Sequence, residues 1–215
     1  MIYPAEDQHI LQITWHGHSC FTLEAEGYRV VLDPYKDGSV EGLSPLSLEA
    51  EAVLCSHSHG DHNAVETVAV QKGTVGCPFQ IETISTFHDD AKGAKRGPNT
   101  IHILSWNGIR AAHFGDLGCR LSDEELASIG PLDAAMIPVG GFYTIDGEEA
   151  ALLAKRLSPV VAIPMHYRSE WFGFDVLSTL EPFLQAYPAP VVHPGPSIGI
   201  FKGMKMQTAI LHYRP

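Results

Sequence analysis

Residues 55–63 read CSHSHGDHN. His57, His59, Asp61 and His62 crowd three imidazoles and a carboxylate into six positions. They lie between the apolar run EAVLC (51–55), read as a buried strand, and DHNAVETVAVQK (61–72), whose spacing predicts a helix. With this composition, a His-x-His-x-Asp-His run arises by accident only about once in several hundred such chains. A solvated, histidine-rich loop is the bland reading. The chemistry favours a metal, because neutral imidazoles and a carboxylate are ordinary ligands of zinc and similar ions. A cation turns their crowding into a stabilising contact.

One ion saturates at about four ligands. Four donors from a single loop are therefore too many and too local, and distant partners are expected. His88 closes the strand IETISTF (81–87), Asp116 follows the strand IRAAHF (109–114), and His166 ends VVAIPM (160–165). Each sits at a strand's carboxyl end, where α/β folds assemble their sites. Seven ligands are held more economically by two ions sharing one carboxylate. The other histidines read differently. His102 alternates with Ile101 and Ile103, which predicts an exposed ring on the opposite face of TIHILSW (100–106). His113 lies inside a strand and is read as structural, while His9, His193 and His212 have no supporting context. His16 and His18, in WHGHSCF, lie near a strand start, from which one of them could approach the site. Cys119 reads as a small buried residue.

The rest of the chain is a carrier for these positions. ILQIT, FTLEA and YRVVLD are strands with a tight turn at Glu26-Gly27, and Asn107-Gly108 is a hairpin signal. Ser122-Asp-Glu-Glu125 is a capping box. DAAMIPV (133–139) then reads as a strand, GEEAALLAKRL (147–157) as a helix, VVAIPM as a strand and VLSTLEPFLQAY (176–187) as a helix. This α/β rhythm carries no repeat or linker, so residues 1–215 are expected to form one domain. The loop 89–99, DDAKGAKRGPN, is polar and basic and reads as the most mobile segment.

Composition bounds the partners. Formal net charge is −11, with 14 Lys+Arg against 25 Asp+Glu, which supplies no basic face for nucleic acid. No stretch approaches the ~20 apolar residues of a membrane span. The start, MIYPAEDQHI, lacks the basic and apolar regions of a signal peptide. Four cysteines without a CxxC pair suit a reducing, cytoplasmic setting.

HSHGDH, followed by His88, Gly115-Asp116 and His166, resembles the metallo-beta-lactamase-fold hydrolase superfamily. ITWHGHSCF with VVLDP after it is similar to the branch holding the ascorbate-6-phosphate lactonases and the N-acylphosphatidylethanolamine phospholipases D, and the match runs from about residue 11 to 168. The resemblance implies an α/β fold, a four-layer αββα sandwich with the site along one edge. It implies one metal held by His57, His59 and His88, another by Asp61, His62 and His166, and Asp116 as the bridge. Asp33, in VVLDP, corresponds to a buried aspartate bracing the histidine loop. Zinc suits this set, and manganese or iron would also be accepted.

The expected activity is that of a metal-dependent hydrolase. A hydroxide bridging two metals would cleave an ester, lactone or phosphodiester of a small molecule, with Asp61 orienting the nucleophile and taking its proton. Two relatives of the same fold compete. A di-iron redox enzyme would carry a glutamate where this chain has His59, and would bring a flavin domain. A nuclease would need a clamp for which neither length nor charge leaves room. A closed, non-catalytic metal scaffold is the fourth reading. Lys92, Lys95 and Arg96 beside His88, and Arg168 beside His166, could engage an anionic substrate group, and Tyr143 in GGFYTID could donate to an oxyanion.

Overall fold

Two tight turns fix the register of the sheets. Glu26 and Gly27, with φ of 52° and 75°, join β2 (Phe21–Ala25) to β3 (Tyr28–Leu32) and set Ala25 opposite Tyr28. Asn107 and Gly108, at 45° and 77°, join β8 (Pro98–Trp106) to β9 (Ile109–His113) and set Trp106 opposite Ile109. Positive φ at both central residues is the hairpin geometry whose twist matches that of paired strands. The computed structural model describes residues 9–71, 73, 76–187 and 189–213. Most of the MIYPAEDQHI segment, and Lys72 of the 61–72 segment, lie outside the described residues.

Two main sheets result. The first has five strands in the order β13 (Ser197–Ile200), β1 (Leu11–Trp15), β2, β3 and β5 (Ala52–Leu54). The second has seven: β12 (Pro190–Val192), β14 (Gln207–Ile210), β11 (Val161–Met165), β10 (Ala134–Pro138), β9, β8 and β7 (Gln80–Phe87). A separate pair is formed by β4 (Leu48–Ala50) and β6 (Val68–Val70). The alternating burial of β1 and β2 turns Leu11, Ile13, Phe21 and Leu23 into one core with Ile101, Leu104, Met136 and Ile163 of the larger sheet. Rings cross between the sheets, with Trp15 5.8 Å from Tyr167 and Phe21 5.7 Å from His113.

The strands β10 and β11 are buried at all five positions, as parallel strands covered on both faces are. α2 (Gly147–Leu157) packs beside β10 through Ala150, Ala151, Leu153 and Ala154, and α3 (Glu181–Ala186) packs on α2. α1 (Asp123–Ile129) begins at the expected capping box, with Ser122 and Glu125 bonded reciprocally. Across the five-stranded sheet, Val31 joins Cys20, Tyr35, Ala50 and Val68 in a smaller core under β4 and β6. Among the described residues this outer layer is a short sheet with loops.

The structure departs from three local expectations. Residues 61–70 are not a helix but a 3-10 turn, Val65–Thr67, followed by β6, because pairing with β4 overrides the helical spacing. The segment 176–187 forms only the short α3, which starts just before Pro182, a residue suited to a helix's first turn. His102 is 6% exposed and its Nε2 lies 3.1 Å from the Cys55 carbonyl, since both faces of β8 are covered.

Strand direction assembles the edge where the site lies. β9, β10 and β11 are parallel, and the antiparallel β8 makes β7 parallel to them. In the other sheet β3 and β5 are parallel. Asp33 directly follows β3, the 55–62 segment follows β5, His88 follows β7, Asp116 lies three residues past β9, and His166 follows β11. Every one of these positions is a carboxyl end.

Candidate metal centre

One buried carboxylate organises the histidine loop. Asp33, 0% exposed, accepts from the Ser56 amide at 2.6 Å, the Ser56 hydroxyl at 2.6 Å and His62 Nδ1 at 2.8 Å. These bonds dictate tautomers. A carboxylate only accepts, so Ser56 Oγ–H and His62 Nδ1–H must be donors. Ser56 Oγ, its proton committed, can only accept from His57 Nδ1 at 2.9 Å. Both imidazoles are thereby left with Nε2 lone pairs directed away from Asp33.

Those lone pairs converge. Asp116 Oδ2 lies 3.2 Å from His62 Nε2, 3.3 Å from His88 Nε2, 3.3 Å from His166 Nε2 and 3.8 Å from His57 Nε2. Three sets of donors are compact enough to hold an ion: His57, His59 and His88; His18, Asp61, His62 and His166; and Asp33, His57 and His62, of which the first two share no residue. Within each set the ligand atoms lie within 4.8 Å of one another, and Asp116 reaches the first two. The structure thus brings together all seven residues that the sequence singled out.

His18 is the addition. Its ring is 1% exposed, its Nε2 lies 3.3 Å from Asp61 Oδ2, and it packs 4.0 Å from the His166 ring. Its carbonyl receives Trp15 Nε1–H at 2.9 Å and the His166 amide at 3.2 Å, which locks the 16–18 turn. The sequence offered only its place after β1. His16 instead bonds Thr22 Oγ1 at 2.7 Å. His113 is structural as expected, with Nε2 2.8 Å from the Ser19 carbonyl and Nδ1 accepting from the Gly115 amide. The turn holding Asp116 requires glycine at 115, where φ is +54° and a Cβ would stand 2.4 Å from both Asn99 Oδ1 and Ser56 Cβ. Asn99 completes the turn by accepting from the Asp116 amide at 2.9 Å.

Burial sets the protonation. It pushes His57 down to about 3 and His18 to about 4, so these rings are neutral with lone pairs available. His62 is the exception: burial opposes its charge, but Asp116 and Asp33 together raise it well above the usual range, so a cation binding at its Nε2 would take the place of a proton there. Burial likewise opposes the Asp116 carboxylate, and His166 and His62 overcome it. Asp61 is held low in the same way, against burial, by the His18 bond and by His62. The Nε2 atoms of His57, His62 and His166 and Oδ1 of Asp116 are buried and make no hydrogen bond among the described residues. Unpartnered lone pairs facing one another are costly in a protein interior and fit divalent cations.

A cleft of about 820 Å³ opens beside the centre, lined by Phe87 and Asp89 on either side of His88, by Gly118, by Lys92, Lys95 and Arg96, and by Tyr143. Tyr143 packs 5.9 Å from Phe174, which packs 5.5 Å from His18, so one wall runs back to the donors. Arg168 is placed elsewhere. Its Nε is bound to the Leu177 carbonyl at 3.0 Å, and it lines no part of this cleft. The 89–99 loop is tied to itself, because Asp89 accepts from the amides of Ala91, Gly93, Lys95 and Arg96 at 2.7–2.9 Å.

Comparison with known proteins agrees with this architecture. Residues 12–166 match the family model described as a beta-lactamase superfamily domain. A UPF0173 metal-dependent hydrolase of Thermoplasma acidophilum is 26% identical over 197 residues, covering 78% of this chain and 86% of its own length. A second, of Thermoplasma volcanium, is 29% identical over 200 residues, with the same coverage. A candidate Zn-dependent hydrolase of the metallo-beta-lactamase superfamily from Thermotoga maritima superposes with a TM-score of 0.77 at 30% identity, covering 95% of this chain and 100% of its own. The metallo hydrolase Igni18 of Ignicoccus hospitalis shares the fold, with a TM-score of 0.63, 22% identity, and coverage of 89% and 98%.

Proposed function

The chain belongs to the beta-lactamase superfamily, and from that premise we propose that it is a metal-dependent hydrolase with a binuclear centre acting on an ester, lactone or phosphodiester of a small molecule. The observation carrying this reading is the pair of donor sets that share no residue, with the Asp116 carboxylate reaching both. His57, His59 and His88 would hold one ion, and Asp61, His62 and His166 the other. Zinc suits the donor set, and manganese or iron would also fit. When bound, a divalent pair lowers the pKa of an attacking water from ~16 toward ~7 and polarises the scissile group.

The chain's own residues do the rest. Asp33 and Ser56 fix the tautomers of His62 and His57, so the donors are preorganised. Asp61 keeps an ionised carboxylate through its bond to His18, and with its side chain 20% exposed it is placed to orient the attacking water and take its proton. Tyr143, on the cleft wall, supplies a hydroxyl for the developing oxyanion. Substrate is a small molecule that enters through the cleft. The net charge of −11 supports a small-molecule substrate over nucleic acid. Four free cysteines accord with a cytoplasmic setting.

Metal analysis of the purified protein, with His59→Ala alongside, tests the reading, followed by a screen of lactones, carboxyl esters and phosphodiesters. About two equivalents per chain and metal-dependent turnover are expected. Well under one equivalent defeats the proposal, and an iron-specific spectrum with oxygen consumption would replace it with a redox activity.

A further inference from the structure

The cleft beside His88 carries four acidic and four basic side chains, and its acids are all engaged. Asp89 is caged by four backbone amides, and burial's tendency to raise its carboxyl is outweighed, leaving it at about 2. Asp90 pairs with Lys95 at 2.7 Å, Glu149 with Arg120 at 3.4 Å, and Glu125 accepts from the Ser122 amide in the α1 capping box. Among the described residues, Lys92 and Arg96 have no acidic partner. Arg96 is nevertheless held in place. Its amide is tied to Asp89, and its guanidinium lies 5.5 Å from the Tyr143 ring centre and 5.9 Å from that of Phe142. Contact with aromatic rings restrains the guanidinium without using its N–H donors, which stay able to bind an anion.

We propose that Arg96, with Lys92, forms an anion subsite on the cleft wall, and that the natural substrate carries a phosphate or carboxylate group remote from the bond being cleaved. This deepens the hydrolase reading and rests on it for the term substrate, though not for the binding itself. Tyr143 has one role on each side of the subsite, since its ring backs Arg96 while its other neighbour, Phe174, leads to His18. An anion held by a planar fork is oriented as well as bound, so the subsite would set which end of the molecule faces the metals.

Calorimetric titration of the metal-loaded protein with phenylphosphonate, benzoate and benzamide tests this, since none of the three is an ester. Phenylphosphonate or benzoate should bind, the tighter of the two identifying the anion, and benzamide should not. Arg96→Gln and Lys92→Gln should each weaken anion binding by about tenfold or more, whereas His59→Ala should change it by less than about twofold. Unaltered binding in the Arg96→Gln/Lys92→Gln double variant overturns the proposal, as does equal binding of benzamide. Loss of binding in His59→Ala also overturns it, because the anion would then sit on the metals. A protein that fails to hold metal defeats the hydrolase reading while leaving these binding outcomes interpretable.

Discussion

Replacing Asp33 with asparagine changes two atoms' chemistry and should disturb both halves of the centre. The asparagine oxygen can keep the Ser56 amide, so its NH₂ takes the place of the oxygen that now accepts from Ser56 Oγ and His62 Nδ1. His62 Nδ1 must then accept, which moves its proton to Nε2 and blocks the lone pair directed at Asp116. Ser56, receiving from the amide, is freed to donate to His57 Nδ1, which shifts that proton to Nε2 as well. One substitution thus selects the wrong tautomer on a residue of each group. Metal affinity should fall by about 10–100-fold, or roughly 1.4–2.8 kcal/mol, the range for groups that orient ligands. The apoprotein should lose about 1.5–3 kcal/mol, the worth of one hydrogen bond to a charged group. Competition against a chromophoric chelator reads the affinity, and imidazole ¹⁵N shifts read the protonated nitrogen directly. Ser56→Ala is the control, because it should weaken the His57 group and leave His62 in place. Unchanged ¹⁵N shifts in Asp33→Asn, or equal losses at both groups in Ser56→Ala, would refute the reasoning.

Three further outcomes are expected. Stripping the metal with a chelator should lower the melting temperature, and restoring free zinc to about 100 times its Kd should recover about 2.7 kcal/mol, roughly 5–11 °C for a chain of this size by scanning calorimetry. No recovery would mean that metal does not bind the folded state preferentially. Gly115→Ala should destabilise by about 2 kcal/mol or more in urea unfolding, since its Cβ would strike Asn99 and Ser56 at 2.4 Å, and a neutral result would place the turn differently. Asp89→Ala should release four backbone amides, so hydrogen exchange at Ala91, Gly93, Lys95 and Arg96 should quicken by about tenfold or more, while unchanged protection would show the loop to be held by other contacts.

The site was legible in the sequence for a physical reason. A metal site needs lone pairs of particular types, and strand-ending positions such as His88 and His166 announce themselves by interrupting apolar runs. The two-residue turns were equally plain, because each carries a glycine, Gly27 or Gly108, that takes positive φ without steric cost. What escaped depends on contacts that periodicity does not carry. Val65, Val68 and Val70 suit either a helix or a strand, and only the partner β4 decides between them; Val65 and Val70 in fact face solvent. His102 follows strict alternation yet is buried, since alternation predicts exposure only where one face of a strand is uncovered. The 89–99 loop looks mobile by composition, while its order comes from one carboxylate folding back on four amides. His18 reaches the site because β1 and β11 lie in different sheets whose ends meet, a property of the fold rather than of any local stretch.

The most direct test of the centre is anomalous diffraction from crystals grown with zinc. Two peaks should appear, one among His57, His59 and His88 and one among Asp61, His62 and His166, with the Asp116 carboxylate between them. A single peak, or peaks bound to other residues, would contradict the binuclear assignment on which the proposed chemistry depends.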